Sequence, residues 1–282
     1  MQRHAYLILA HTDAPLLSTL VRCLDDSRND IYVHWDAKSG NVPELKVEQS
    51  RLFLLNKRIG VNWAGFSMVK AELLLFKEAY ANGPYEYYHL ISGADLPIKS
   101  QDYIRSECEK MAGTEFIAFA DASQQEIDYR TQHYFLFPEE FRTKNIIKRG
   151  LRYLYLKYQD VAHKRRSDII FKKGSQWCSL THDFVGYLLS QEDNVRKLFS
   201  HTFCPDELLI QTVCYNSSFF KNVKKADSEF DGNLRFIKWK DGELLPIEEK
   251  DLEEMKQSDK WFARKFSGSD RRLIDKVLEL SK

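Results

Sequence analysis

Tyr87-Tyr88-His89-Leu90-Ile91, followed by Ser92-Gly93-Ala94-Asp95-Leu96-Pro97, is an apolar run of strand length that stops at a polar turn. The same pattern recurs upstream. Tyr6-Leu7-Ile8-Leu9-Ala10 runs into His11-Thr12-Asp13, and Ile31-Tyr32-Val33-His34-Trp35 ends at Asp36. Arg51-Leu52-Phe53-Leu54-Leu55 reads as a third strand. Between the first two, Ala14 to Leu24 has helical spacing, with Leu16, Leu17, Leu20 and Val21 on one face. A second helix follows Trp63-Ala64-Gly65-Phe66-Ser67 and runs through Met68 to Tyr80. Strand, helix, strand, strand, helix, strand predicts an α/β layer with a largely parallel sheet.

Ligands of such sheets bind beyond the carboxyl ends of the strands. His11, Asp36 and Asp95 fall there. An acid in that place either accepts hydrogen bonds from a ribose or base, or closes its own turn. No GxGxxG, Walker or Asp-x-Asp motif is present, which argues against a dinucleotide dehydrogenase, a P-loop enzyme and a metal held on a diphosphate.

Further along, Phe116-Ile117-Ala118-Phe119 is expected to be a strand, and Asp183 to Leu189 a helix. Leu234 to Trp239 is a late strand, and a last helix starts near Asp270. Phe203-Cys204-Pro205-Asp206-Glu207-Leu208-Leu209-Ile210-Gln211-Thr212 reads as a helix start, with proline and two acids in the first turn and an apolar side behind. Glu207 is thereby expected on the rim of a packed scaffold. The plainer alternative is that both acids complement the helix dipole.

The 282 residues are 43% hydrophobic and 29% charged, enough for a large core. With no repeat or low-complexity linker, a single domain over 1–282 is expected. No run of eighteen apolar residues suggests a membrane span. The first strand is too short and poorly flanked to be a signal peptide. Five dispersed cysteines without a CxxC pair suggest reduced thiols and a cytoplasmic protein. A zinc site from His201 and Cys204 lacks a second pair. Residues 142–173 hold 11 basic and 2 acidic side chains, although the whole chain is only +1. Aromatic and aliphatic residues interleave with these cations. Such a segment is either a solvated helix face packing its apolar side on the core, or an interfacial segment for an anionic membrane. No nucleic-acid-binding motif accompanies it.

Eight stretches in order resemble the core-2/I-branching N-acetylglucosaminyltransferase family, glycosyltransferase family 14, which also includes peptide O-xylosyltransferases. They are Ala5–His11, Val33–Lys38, Trp63–Ser67, His89–Lys99, Gly174–Thr181, Pro205–Glu207, Arg235–Trp239 and Phe262–Phe266. The chain looks like a short bacterial-type member, without the membrane anchor and disulfide cysteines of the animal Golgi enzymes. The resemblance implies a GT-A fold, with a mixed, mostly parallel central sheet flanked by helices. Residues 1–110 would form the nucleotide-binding half and 111–282 the acceptor and catalytic half.

It also implies inverting transfer from a UDP-sugar without a metal or other cofactor. Glu207 would be the catalytic base, and Arg235 and Lys265 would hold the donor diphosphate. Nucleotide contacts are expected at His11, Asp36, Trp63 and Asp95, and acceptor contacts at Trp177, Arg130 and Glu126. The donor expected is UDP-GlcNAc, with UDP-xylose or another UDP-sugar as the alternative, and the acceptor a glycan hydroxyl, lipid-linked as one option. A helix start lowers a carboxylate's pKa and so weakens Glu207 as a base, an effect that local burial would have to offset. The other class of function is a non-catalytic glycan- or nucleotide-binding module, against which the joint presence of Glu207, Arg235 and Lys265 counts. A working place at the inner face of the plasma membrane goes with the interfacial reading of 142–173.

Overall fold

The computed structural model describes residues 2–281 except 163, 166, 229–230 and 241–242. Two positions of the basic segment, His163 and Arg166, therefore lie outside the described residues.

Strands β1 (His4–Ala10), β2 (Asn29–Trp35), β3 (Arg51–Leu54), β4 (Tyr87–Ser92) and β6 (Cys178–Thr181) form one sheet in the order β3-β2-β1-β4-β6. The first four are parallel, and β6 joins β4 antiparallel. Every residue of β1 and β2 is buried, which is why both read as unbroken apolar runs. Alternate residues of β1 feed two cores, because successive side chains leave a strand on opposite faces. Tyr6, Ile8 and Ala10 join helix α1 (Ala14–Cys23) and helix α10 (Arg271–Leu280). Ala5, Leu7 and Leu9 join helix α2 (Phe66–Asn82), helix α6 (His182–Ser190) and helix α8 (Asp206–Tyr215).

A second sheet has the order β5-β9-β7-β8, of which sequence patterning found only β7, expected at Leu234 to Trp239. It comprises β5 (Leu96–Pro97), β7 (Arg235–Lys240), β8 (Glu243–Leu245) and β9 (Phe262–Arg264). Its other strands, of two or three residues, are too short to show an alternation. The expected strand at 116–119 is corrected. Phe116, Ile117 and Ala118 are buried, but only Phe116 pairs, by one antiparallel bridge to Ser179. Ala118 O instead accepts from a side chain, Gln211 Nε2, at 3.0 Å. No described helix is long and apolar enough to cross a membrane.

Two glycines separate close approach from mere helix weakening. A Cβ on Gly174 would lie 1.9 Å from Ala118 O and 2.7 Å from Gln211 Nε2. One on Gly150, inside helix α5 (Ile146–Val161), would meet nothing within 4 Å. Gly174→Ala is expected to cost about 3 kcal/mol through forced backbone movement. Gly150→Ala should stabilise by about 0.5–1 kcal/mol, as alanine is the better helix former. Urea denaturation of both variants measures the two effects.

Candidate active site

Helix α8 begins at Asp206 directly behind Pro205, as the first-turn signals predict. The chain reaches it through Cys204, whose φ is 47°, and at the start of α2 Ala64 has φ 66°. Left-handed non-glycine residues are strained and persist only where neighbours hold them. Here they hold each other, since Cys204 N donates to Ala64 O at 3.2 Å. On the other side Gly174 N donates to Glu207 O at 2.9 Å, and Gln211 Nε2 to Ser175 O at 2.8 Å. The main chain around Glu207 is thus fastened from two directions.

The Glu207 side chain is 39% exposed and accepts from Arg130 Nη1 at 2.6 Å through Oε2. Arg130, on helix α4 (Gln124–Thr131), also donates from Nη2 to Glu126 Oε1 at 2.7 Å. Lys173 Nζ reaches the same Glu126 oxygen at 2.9 Å. Lys173 first, and then Arg130, hold the Glu126 carboxyl below its ordinary range. Three residues that the sequence reading placed in two separate roles form one ionic network. Arg130 and Glu126 bear on Glu207 itself. The Glu207 carboxylate is not buried, and its immediate neighbour is a cation.

Two further carboxyls lie behind it. Burial, and then the charge of Glu207, push Asp206 up to about 7. Glu72 of α2 is fully buried, and neither carboxylate oxygen has a hydrogen-bond partner among the described residues. Burial first, and the charge of Asp206 second, raise its pKa well above the usual carboxylate range, which favours the neutral acid. The sequence reading passed it over. The signal was an acid inside the apolar run Ala71-Glu72-Leu73-Leu74-Leu75.

At the strand ends the expected nucleotide contacts divide. His11 is exposed beyond β1. Asp36 closes its own turn, its carboxylate accepting from Lys38 N at 2.7 Å and Val61 N at 3.1 Å. Asp95 is fully buried, accepts from Ser92 N at 2.9 Å and faces Arg264 Nε at 3.5 Å. Burial raises its pKa, and it presents no open oxygen to a nucleotide. Trp63 is 49% exposed, with the Arg142 guanidinium 4.0 Å over its ring. It lines a cleft of about 380 Å³ together with Lys38, Asn62, Glu139, Phe141 and Arg142. Glu139 fixes that wall by accepting from Ser67 N at 2.9 Å, at the first turn of α2.

The loop from Gly174 leads to Trp177, whose ring carries the Arg264 guanidinium at 4.2 Å. Lys265, next in the chain after β9, is exposed. Arg235 is not, and the expectation that its guanidinium lies free is corrected. Arg235 is 3% exposed, and Nη2 donates to Cys178 O at 2.7 Å and Ser179 Oγ at 3.1 Å. Nη1 donates to Asn233 O at 2.6 Å, and burial lowers its pKa to about 10. Ser179 Oγ lies 2.7 Å from His89 Nδ1, and His89 Nε2 lies 3.0 Å from His4 Nδ1. The His4, His89 and Cys108 ligating atoms lie within 4.8 Å of one another. The two histidines spend the facing ring nitrogens on each other.

The raised pKa of Asp206 has a measurable consequence. Between the ordinary 3.8 and about 7 the folded protein keeps this proton while the unfolded chain releases it, so stability falls as pH rises through that window. Asp206→Asn should remove the loss. Its stability relative to the parent is expected to rise by about 2 kcal/mol between pH 4 and pH 8, read from urea denaturation at both pH values.

A sequence model of the Core-2/I-Branching enzyme family matches residues 4–267. Xylosyltransferase oxt of Drosophila melanogaster is 24% identical over 237 residues, 78% of this chain and 24% of that protein. Human N-acetyllactosaminide beta-1,6-N-acetylglucosaminyl-transferase is 25% identical over 248 residues, 85% of this chain and 58% of that protein. Human beta-1,3-galactosyl-O-glycosyl-glycoprotein beta-1,6-N-acetylglucosaminyltransferase is 23% identical over 248 residues, 83% of this chain and 54% of that protein. The chain therefore spans about a quarter of the xylosyltransferase and just over half of the other two. With the match running nearly end to end, this chain belongs to the Core-2/I-Branching enzyme family.

Proposed function

We propose that the protein is an inverting glycosyltransferase of GT-A type that moves GlcNAc from UDP-GlcNAc to a hydroxyl of a glycan, in the making of surface polysaccharide or glycoconjugate. The observation that carries this reading is the placement of Glu207, half-exposed on a helix start whose main chain is bonded on both sides. An alcohol is a poor nucleophile near neutral pH until its proton is taken. Glu207 takes it as the oxygen attacks the anomeric carbon, from the side opposite the leaving UDP. An α-linked donor then yields a β-glycoside.

In this reading the departing diphosphate is neutralised by side chains instead of a metal. Lys265 meets it directly, and Arg264, seated on Trp177, adds a second charge nearby. Arg235 acts from behind, holding the β4–β6 edge and contributing positive potential from beneath. Trp177 offers an aromatic face for a sugar ring. Arg130 keeps Glu207 oriented until the acceptor hydroxyl takes a place beside it. His11 and the Trp63 cleft serve the two substrates. An acceptor carried on a membrane lipid fits this reading, with a cytoplasmic enzyme working at the inner face of the membrane.

Glu207→Gln keeps the shape and removes the base. Transfer from UDP-GlcNAc is expected to fall by about a thousandfold, with UDP binding by calorimetry unchanged. Equal turnover in this variant would end the assignment of Glu207, and absence of any turnover in the parent would favour a non-catalytic binding module. A thermal-shift panel of UDP-sugars with and without EDTA tests donor and metal together. UDP-GlcNAc is expected to stabilise most and EDTA to change nothing, whereas the larger shift with UDP-xylose would move the donor assignment. Lys265→Ala should lower kcat by about a hundredfold while the melting temperature holds.

A further inference from the structure

Helix α5 is attached to the protein the wrong way round for an ordinary surface helix. Its apolar residues Ile147, Leu151, Leu154, Tyr158 and Val161 recur every three or four positions, so they form one stripe. That stripe faces out. Ile147 is 70% exposed, Leu154 64% and Val161 91%, and the only buried residue of the helix is Gln159. The body is gripped by polar groups instead. Gln159 Oε1 accepts from Tyr134 N at 2.8 Å and its Nε2 donates to Tyr134 O at 3.1 Å. Arg152 Nη2 donates to Phe141 O at 3.0 Å, and Lys148 Nζ to Glu140 Oε2 at 2.6 Å. This corrects the expectation that the segment packs its apolar side on the core.

Cations are exposed on the helix and at both its ends, with Lys157 3.7 Å from Asp160. Lys144, Arg149, Lys157 and Lys164 are all exposed, while the acids exposed between 142 and 173 are Asp160 and Asp168. An exposed apolar stripe on a segment with an excess of exposed cations matches a surface with anionic headgroups over hydrocarbon. We infer that α5 is a membrane-docking helix that lies in the interface of an anionic bilayer. Phe141, which accepts from Arg152, also lines the Trp63 cleft. Docking through α5 thus brings that cleft towards the lipid headgroups. The inference does not need the transferase reading, since docking and turnover are measured separately.

Flotation with vesicles tests it. The full chain should float with phosphatidylcholine vesicles containing phosphatidylglycerol and stay behind with phosphatidylcholine alone. Binding should be lost at about 1 M salt, where the screening length is about 3 Å. The triple change Arg149→Glu, Lys157→Glu, Lys164→Glu should lower partition by at least a hundredfold, as each cation contributes roughly fivefold. Ile147→Ser, Leu154→Ser, Val161→Ser together should lower it at least tenfold. These side chains are exposed, so both variants should keep the parent's melting temperature. Tyr158→Trp gives a second readout, a blue shift of emission on adding the anionic vesicles. Failure of the parent to float, equal flotation with both lipids, or unchanged flotation of the variants would overturn the inference. So would light scattering that shows a dimer, lost in the serine variant, in a parent that does not bind vesicles, because a second copy would then cover the stripe.

Discussion

The structure depends on the tying of the α8 start to its surroundings by main-chain bonds. Cys204 N to Ala64 O joins α8 to the start of α2, and Gly174 N to Glu207 O joins it to the loop before β6. Main-chain bonds fix position without using the side chain. Glu207 therefore keeps its carboxylate for Arg130 and, in the proposed chemistry, for a hydroxyl. Rigidity costs something here. Ala64 and Cys204 occupy left-handed conformations that a side chain disfavours, and the bond between them offsets that cost.

Charge is distributed along the same framework. Acids gather at α8, where burial first, and a neighbouring carboxylate second, bias Glu72 and Asp206 towards protonation, and no polar atom among the described residues bonds to Glu72. Cations gather around β9, where Arg264, Lys265 and the deeper Arg235 lie near Asp95. The loop from Gly174 to Trp177 runs from one group to the other, bonded to α8 at its start and stacked under Arg264 at its end. In the proposed chemistry, taking a proton and stabilising a leaving phosphate call for opposite charges at separate points, and this division fits that need.

How legible the fold was depended on how deeply each element is buried. Strands β1, β2 and β4 were plain in the sequence because both their faces are covered, which demands continuous apolar runs. Of the second sheet only β7 was legible, because the other strands, of two or three residues, carry no period. The stretch 116–119 has strand composition yet only one bridge, since Gln211, distant in sequence, claims the neighbouring carbonyl. Helix α5 had a visible apolar stripe, but periodicity marks a face without saying what covers it.

The candidate site divides on the same line. The sequence by itself determined that Glu207 stands in the first turn of a helix, because proline and acids at a helix start act through their own backbone neighbours. It also determined that His11 and Asp36 come at strand ends, where the apolar runs stop. Only the tertiary structure decided that Asp36 accepts from nearby backbone N–H groups, that Asp95 is buried facing Arg264, that Arg235 is buried and bonded to the Cys178 carbonyl, and that Arg130 reaches Glu207 across 77 residues. The physical reason is that a charged group's role is set by its burial and by whatever partner lies within a few ångströms. Those are fixed by packing between segments far apart in the chain.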